Sequence, residues 1–276
     1  MTEPLFRIEN LRLSLADMTR KPLFGPAPRV EILKGVAFEI PAGSTIGIVG
    51  ESGSGKTTLG RAMVRLYEPS GGAILFDGRD IAHLSEAAMR PLRRDLQVIF
   101  QDPYSSLNPR KTVRAIIAAP LLFHRVAASA AEGRERVAAA LAAVGLPGQF
   151  ASRYPHELSG GQRQRVGIAR AIALSPRFVL ADEIVSGLDV SSQAQILDLL
   201  GRLKDELKLT LAFISHDLSV VRRLCDRVIV MKGGEIVENR ATAALFDAPE
   251  HPYTRQLLAA IPLPQLDPGW LEAANG

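Results

Sequence analysis

One cysteine, Cys225, in 276 residues removes two classes of architecture. No disulfide can close within the chain and no multi-cysteine metal site can form, and a lone thiol suits a reducing compartment. Long hydrophobic runs are missing too. Although 47% of the residues are hydrophobic, no stretch approaches the ~18 uninterrupted apolar residues of a membrane helix. The opening MTEPLFRIEN carries no signal-peptide pattern, so a soluble or peripheral chain is expected. Aromatics supply only 5% of the residues, and the 33 Lys and Arg against 29 Asp and Glu are scattered, not blocked. Without a basic block or an RNA-type aromatic motif, the net charge of +4 reads as ordinary surface arginines and not as a nucleic-acid footprint. Internal repeats and low-complexity segments are also lacking. What remains is a chain long enough to bury a large core, in one α/β domain with a subdomain or in two domains.

Glycine, by contrast, is concentrated. Residues 50–57 read GESGSGKT, a full match to the phosphate-loop pattern G-x-x-x-x-G-K-[ST], directly behind the apolar run of Ile46, Ile48 and Val49. Glycines let backbone N–H groups converge on a polyphosphate with no Cβ in the way. Lys56 can reach the outer phosphates as a point charge, and the Thr57 hydroxyl can ligate Mg²⁺. A helix beginning near Lys56 aims its positive end at the same anion. A glycine-rich strand-to-helix turn with a surface lysine would explain parts of this pattern but not eight positions in register. The chain is expected to bind a nucleoside triphosphate.

Around that loop the sequence alternates strands with helices. Residues 5–15 alternate apolar with polar as a strand does; residues 18–29, with Pro22, Gly25, Pro26 and Pro28, read as a loop; residues 36–40 form a second short strand. Residues 73–76 read as an edge strand leading to the Asp77-Gly78 turn. Residues 96–100 (LQVIF) are a buried strand delivering Gln101, and residues 102–109 are too rich in turn formers to be regular. Residues 112–146 are alanine-rich at helical spacing, which predicts a helical insertion. Further on come a strand at 178–181 ending on Asp182-Glu183 and an amphipathic helix at 190–207. A strand at 210–214 ends at Ser215-His216-Asp217, and a final hairpin surrounds Gly233-Gly234. Such an order implies a mostly parallel sheet covered on both faces, with ligands at the carboxyl ends of its strands.

Three strands end in polar residues. Asp182 follows apolar residues, where a carboxylate is costly unless paired or bound to metal; beside a phosphate loop that metal is Mg²⁺, shared with Thr57. Glu183, one step on, would face the attacking water as general base. Gln101 could ligate Mg²⁺ and sense that water, and His216 could contact the γ-phosphate; taken alone, each is an ordinary polar residue. Residues 158–162, LSGGQ, are a small-residue turn before the helical run 163–173. They present a second helix N-terminus with a serine hydroxyl, which is either a simple N-cap or a second phosphate-binding surface.

Taken together, these motifs resemble the nucleotide-binding subunit of an ATP-binding cassette (ABC) transporter, over nearly the whole length. The resemblance rests on the phosphate loop, Gln101, LSGGQ at 158–162, Asp182-Glu183, Ser186-Gly187-Leu188-Asp189 and His216. It implies an α/β fold with a RecA-like P-loop NTPase core, an antiparallel β subdomain and an inserted helical signature subdomain at roughly 102–170. The ATPase domain would span 5–246, with a C-terminal extension at 247–276. It further implies that ATP is held by Gly50, Glu51, Ser52, Gly53, Ser54, Gly55, Lys56, Thr57 and Thr58. Ser159, Gly160, Gly161 and Gln162 would contribute across a dimer of cassettes, Mg²⁺ would be held by Thr57, Gln101 and Asp182, and catalysis would fall to Glu183, His216 and Gln101. Implied partners are a second cassette, identical or paralogous, integral-membrane permease subunits and, indirectly, a periplasmic solute-binding protein, with no nucleic acid. The implied place is the cytoplasmic face of the inner membrane.

FQDPYSSLNPR at 100–110 and EHPYTRQLL at 250–258 look like segments of oligopeptide and dipeptide importer ATPases, with nickel or another small solute as the alternative cargo. A soluble ABC ATPase acting on nucleic acid or ribosomes usually carries two cassettes or a long coiled-coil insertion, and a P-loop kinase or GTPase needs no LSGGQ. Three departures from the family pattern stand out. Ile184-Val185 replace the usual Pro-Thr after the two acids. Leu15 stands where an aromatic normally stacks on adenine, so that base stacking is either weaker or left to another residue such as Phe24. Cys225 alone cannot supply the C-terminal iron–sulfur cluster that some relatives carry.

Overall fold

The computed structural model describes residues 4–22 and 25–260. In chain order the first elements are β1 (Pro4–Ala16), β2 (Arg29–Pro41), β3 (Thr45–Val49), α1 (Lys56–Met63), β4 (Gly71–Phe76), β5 (Arg79–Asp80), α2 (Glu86–Leu92) and β6 (Leu96–Ile99). Four helices follow: α3 (Pro103–Ser106), α4 (Val113–Phe123), α5 (Ala130–Ala143) and α6 (Gly160–Ile172). The rest comprises β7 (Phe178–Asp182), α7 (Val190–Leu207), β8 (Thr210–Ile214), α8 (Leu218–Leu224), β9 (Arg227–Lys232), β10 (Glu235–Ala241), α9 (Thr242–Asp247) and α10 (Pro252–Ala259).

Among the described residues the strands form two sheets. An antiparallel sheet runs β2-β1-β4-β5, and a six-stranded sheet runs β10-β9-β3-β8-β7-β6 with every pair parallel except β9–β10. Alternation along the parallel strands divides the interior into two cores. Ile46, Ile48, Phe178, Leu180, Ala212, Ile214, Ile229 and Met231 join the antiparallel sheet and α1 on one face. Val49, Val179, Ala181, Leu211, Phe213, Val228 and Val230 face the helices on the other. Near-continuous apolar strands are what a sheet buried on both faces requires. Phe6 of β1 meets Phe178 of β7 edge-on at 4.5 Å and Phe76 of β4 at 5.0 Å, joining the two sheets. Such aromatic pairs contribute about 0.5–1.5 kcal/mol beyond their buried area. Gly47 lies where α8 crosses β3; a Cβ there would stand 2.4 Å from Val221 Cγ1, so only glycine lets the helix come this close.

The expected helical insertion at 112–146 is α4 and α5, and with α6, the expected run at 163–173, they share one core with the central sheet. Three sequence expectations are corrected. The second strand starts at Arg29, not at residue 36, because its largely exposed first half is held by β1 through the ladder from Ala16–Arg29 to Leu13–Leu33. Strand β4 is not an edge: the two-residue β5 pairs with it and takes the edge instead. Within 102–109, Asp102 caps one helical turn, its side chain accepting the Tyr104 N–H at 2.8 Å. Among the described residues no helix is long and apolar enough to cross a membrane.

Candidate active site

Strand β3 runs through the sheet interior and ends at Val49, so the glycine-rich loop that follows is delivered at the carboxyl end of a central strand. Gly50 has φ 147°, and a Cβ on it would lie 2.2 Å from the Met231 carbonyl oxygen. No side chain fits there. At the other end of the loop Gly55 is the N-cap of α1, left-handed at φ 102° and without a side-chain cap. The first N–H groups of α1 are therefore open to an anion, the arrangement that favours phosphate at a helix start.

Lys56 is buried and its Nζ donates to the carbonyls of Gly50 and Glu51, each at 2.7 Å. Burial pulls its pKa down, and the nearby Glu183, Asp182 and Glu51 carboxylates oppose that pull. Thr57 donates its hydroxyl to Asp182 Oδ1 at 3.1 Å, and Arg61 Nη2 lies 3.6 Å from Asp182 Oδ2. Asp182 is only 1% exposed. Burial pushes its carboxyl above the ordinary 3.8, with the Thr57 hydrogen bond and the Arg61 charge pulling the other way. A buried carboxylate beside a threonine hydroxyl is a pair of hard oxygen donors, and together they suit Mg²⁺.

Glu183 marks the end of β7 with an unusual backbone, φ 49°, the left-handed region that costs a non-glycine residue about 1–2 kcal/mol. The turn is held by its N–H on the Ile214 carbonyl at 3.0 Å and by its own carbonyl, which accepts from Ser186 Oγ at 2.9 Å. Strain of this kind, held by its surroundings, collects at functional sites. It carries the carboxylate to Gln101 Nε2, which donates to Glu183 Oε2 at 2.9 Å, and to within 3.9 Å of His216 Nδ1. His216, at the end of β8, is 64% exposed on its side chain. Ile184 and Val185, which replace the usual Pro-Thr, are buried in the helical-face core.

A cleft of about 420 Å³ collects Ser52, Gly53, Gly55, Lys56, Thr57, Thr58, Glu183 and His216, with Ile32 of β2 on its wall. Gly50, Glu51 and Ser54 form the frame of the loop instead; Ser54 is buried and its N–H donates to the Glu51 carbonyl. The 158–162 turn is not part of this cleft. Ser159 is exposed and caps α6 in a capping box: its Oγ accepts the Gln162 N–H at 3.3 Å, and Gln162 Oε1 accepts the Ser159 N–H at 3.0 Å. The helix that follows the turn packs on the segment just after Gln101. Arg163 of α6 stacks its guanidinium 3.7 Å over the Tyr104 ring of α3, and Arg170 donates to the Ser106 carbonyl at 2.6 Å.

Sequence reasoning missed Ile32, Arg61 and Tyr253. Ile32 lies in the unread half of β2. Arg61 follows Thr57 by one helical turn, a spacing that could have revealed it. Tyr253 reaches the loop across 202 positions, through its phenol on the Glu51 N–H at 2.9 Å. Leu15 packs on the antiparallel-face core and is not among the cleft residues, while Phe24 lies outside the described residues.

Comparison with known proteins agrees with this geometry. The family profile described as "ABC transporter" matches residues 33–186. The oligopeptide transport ATP-binding protein AppF of Bacillus subtilis (strain 168) is 53% identical over 235 residues, 85% of this chain and 71% of that protein. The structure of the ATP-binding cassette MJ0796, a dimer in a post-hydrolysis state bound to ADP and Pi, superposes with TM-score 0.75 at 31% identity. It covers 86% of this chain and 98% of that one. The structure of cbiO1 from Clostridium perfringens, part of the ABC transporter complex cbiONQ, gives TM-score 0.77 at 28% identity over 94% of this chain and 96% of that one. With a profile match over more than half its length and a relative this similar, the chain belongs to the ABC transporter family and is one of its ATPase cassettes.

Proposed function

We propose that this chain hydrolyses ATP to drive peptide import across a bacterial inner membrane, docked on the cytoplasmic face of permease subunits that a periplasmic binding protein supplies. The observation that carries the reading is the meeting of Lys56, Thr57, Asp182, Glu183 and His216 at one end of the central sheet. The name of AppF supports peptide cargo, and the place of cbiO1 in a transporter complex supports permease partners. Residues 5–246 are read as the cassette, roughly 102–170 as its helical subdomain and 247–276 as an extension.

In this reading the loop N–H groups and the start of α1 take the triphosphate, and Lys56, held by the Gly50 and Glu51 carbonyls, directs its remaining N–H toward a phosphate oxygen. Mg²⁺ held by Thr57 and Asp182, with Gln101 nearby, would neutralise charge on those oxygens. Glu183 orients and deprotonates the attacking water, Gln101 holds Glu183 in place through its 2.9 Å bond, and His216 stands on the γ-phosphate side. One face of the phosphate stays open in a single cassette, because Ser159, Gly160, Gly161 and Gln162 lie outside its own cleft. A second cassette would bring its copy of that turn to the open face, so that ATP joins two subunits and hydrolysis parts them.

The test is uptake of a labelled peptide by cells lacking the chain. Uptake is expected to return with the parent protein and not with Lys56→Ala, and the parent is expected to co-purify with its permease. Full uptake without the chain, or retained nickel dependence with no peptide effect, refutes the assignment of cargo.

A further inference from the structure

Residues 250–258 have no part in the chemistry above, yet their first turn reaches the phosphate loop. The segment is anchored by Glu238 of β10, a buried carboxylate whose two oxygens accept the N–H groups of Glu250 and His251, each at 3.0 Å. His251 then caps α10, its Nδ1 accepting the Tyr253 N–H at 3.1 Å. Tyr253 is thereby driven inward until it is 2% exposed, with Lys232 Nζ 4.7 Å from its ring centroid. Its phenol oxygen accepts the Glu51 N–H at 2.9 Å.

That N–H belongs to the Gly50–Glu51 peptide, and the carbonyl of the same peptide is the Gly50 oxygen that receives Lys56 Nζ at 2.7 Å. One peptide plane is thus held at both ends, by the loop lysine and by a tyrosine of the C-terminal helix. Gly50 cannot hold the plane itself. It has no side chain, none would fit against Met231, and glycine rotates more freely than any other residue. Turning the plane would swing the Gly50 carbonyl off Lys56 and leave its ammonium group held by the Glu51 carbonyl alone, with a looser aim.

We propose that Tyr253 is a positioning residue for nucleotide binding, its phenol oxygen fixing the Gly50–Glu51 peptide in the orientation that aims Lys56 into the cleft, so that α10 latches the phosphate loop. This rests on the reading of residues 50–57 as the ATP site. Tyr253→Phe removes the acceptor and keeps the ring and its contact with Lys232. In the full chain, titration with a fluorescent ATP analogue and steady-state kinetics should show Kd and KM raised about threefold to tenfold, the range of one neutral hydrogen bond. Turnover at saturation should stay within about twofold, because Lys56 and Glu183 are still present once nucleotide holds the loop. Thermal melting controls for folding. Parental Kd and KM in Tyr253→Phe overturn the inference, as does a lowered Tm with unchanged Kd, which would leave α10 a purely structural element. A parent protein that binds no ATP analogue would remove the ATP-site reading as well, whereas parental binding with an unaffected variant removes this inference alone.

Discussion

Replacing Glu183 by glutamine separates where that side chain sits from what it can do as a base. The glutamine would inherit the same backbone turn, since the bonds to Ile214 and Ser186 use only main-chain atoms of Glu183. Its amide oxygen could still accept from Gln101 Nε2, which donates to the carboxylate at 2.9 Å in the parent. Shape and anchoring survive and proton acceptance is lost. Loss of a general base costs about 10²–10⁴ in rate, or about 2.7–5.4 kcal/mol of barrier at 1.36 kcal/mol per tenfold. Gln101→Ala gives the scale for position alone. A hydrogen bond to a charged group contributes about 1.5–3 kcal/mol when buried; this one is exposed, so the lower end applies, a loss of about tenfold. Single-turnover hydrolysis with protein in excess over Mg-ATP measures both, and sedimentation with ATP shows whether the Glu183→Gln protein accumulates as an ATP-bound dimer. If Glu183→Gln keeps more than about a tenth of the parental rate, or if Gln101→Ala is the more damaging change, Glu183 is not the base.

Features away from that carboxylate can be tested separately. Ser159→Arg should leave ATP binding to the isolated subunit nearly intact while strongly reducing turnover and, in a Glu183→Gln background, ATP-dependent dimerisation; parental turnover with normal dimerisation would reduce the LSGGQ turn to a helix cap. Asp77, on the β4–β5 turn, accepts two hydrogen bonds from Arg177 at 2.6 and 2.8 Å, and these bonds first, then the charge, hold its carboxyl below the ordinary 3.8. A depressed folded-state pKa contributes stability above the unfolded value and loses it as pH falls through the folded one. Asp77→Asn should therefore cost at most about 1 kcal/mol at neutral pH, given the exposure of both partners, and the gap between the two melting curves should close as pH falls below 3.8; a gap that persists in acid would show that the bridge is not its source.

Much of the fold was legible because its signals are local. The helix at 190–207 and the strand at 210–214 stand where apolar spacing put them, and His216 follows β8 as expected; that Asp189 caps α7 is added by the structure. The 50–57 loop was readable from residue types alone, since a backbone cradle demands glycine. Elements that depend on a partner were not. The first half of β2 alternates charged residues with Val30 and Ile32 but fully buries only Leu33, so pairing with β1 more than burial makes it a strand. Helices α2 and α8, seven residues each, are too short for periodicity to be counted. The site shows the same division. Lys56, Thr57, Asp182, Glu183, Gln101 and His216 could be named from strand ends and motif, whereas Ile32 and Tyr253 come to the loop through pairings no local pattern encodes.

The two-sided core of the central sheet also sets where this chain can change length. Along β3, Ile46 and Ile48 face one core while Gly47 and Val49 face the other, and side chains in a strand swap faces with every step. Inserting one residue before Gly47 would carry Ile48 onto the helical face and move the glycine off the α8 crossing, where a single added carbon already stands 2.4 Å from Val221. Deleting one would do the same. The position of the phosphate loop can therefore move only in whole two-residue steps of the strand, each about 6.6 Å, far more than a hydrogen bond to a phosphate can follow. Changes in length are better tolerated in segments such as 124–129, between α4 and α5, where the chain lies outside both sheets and no catalytic side chain depends on the count.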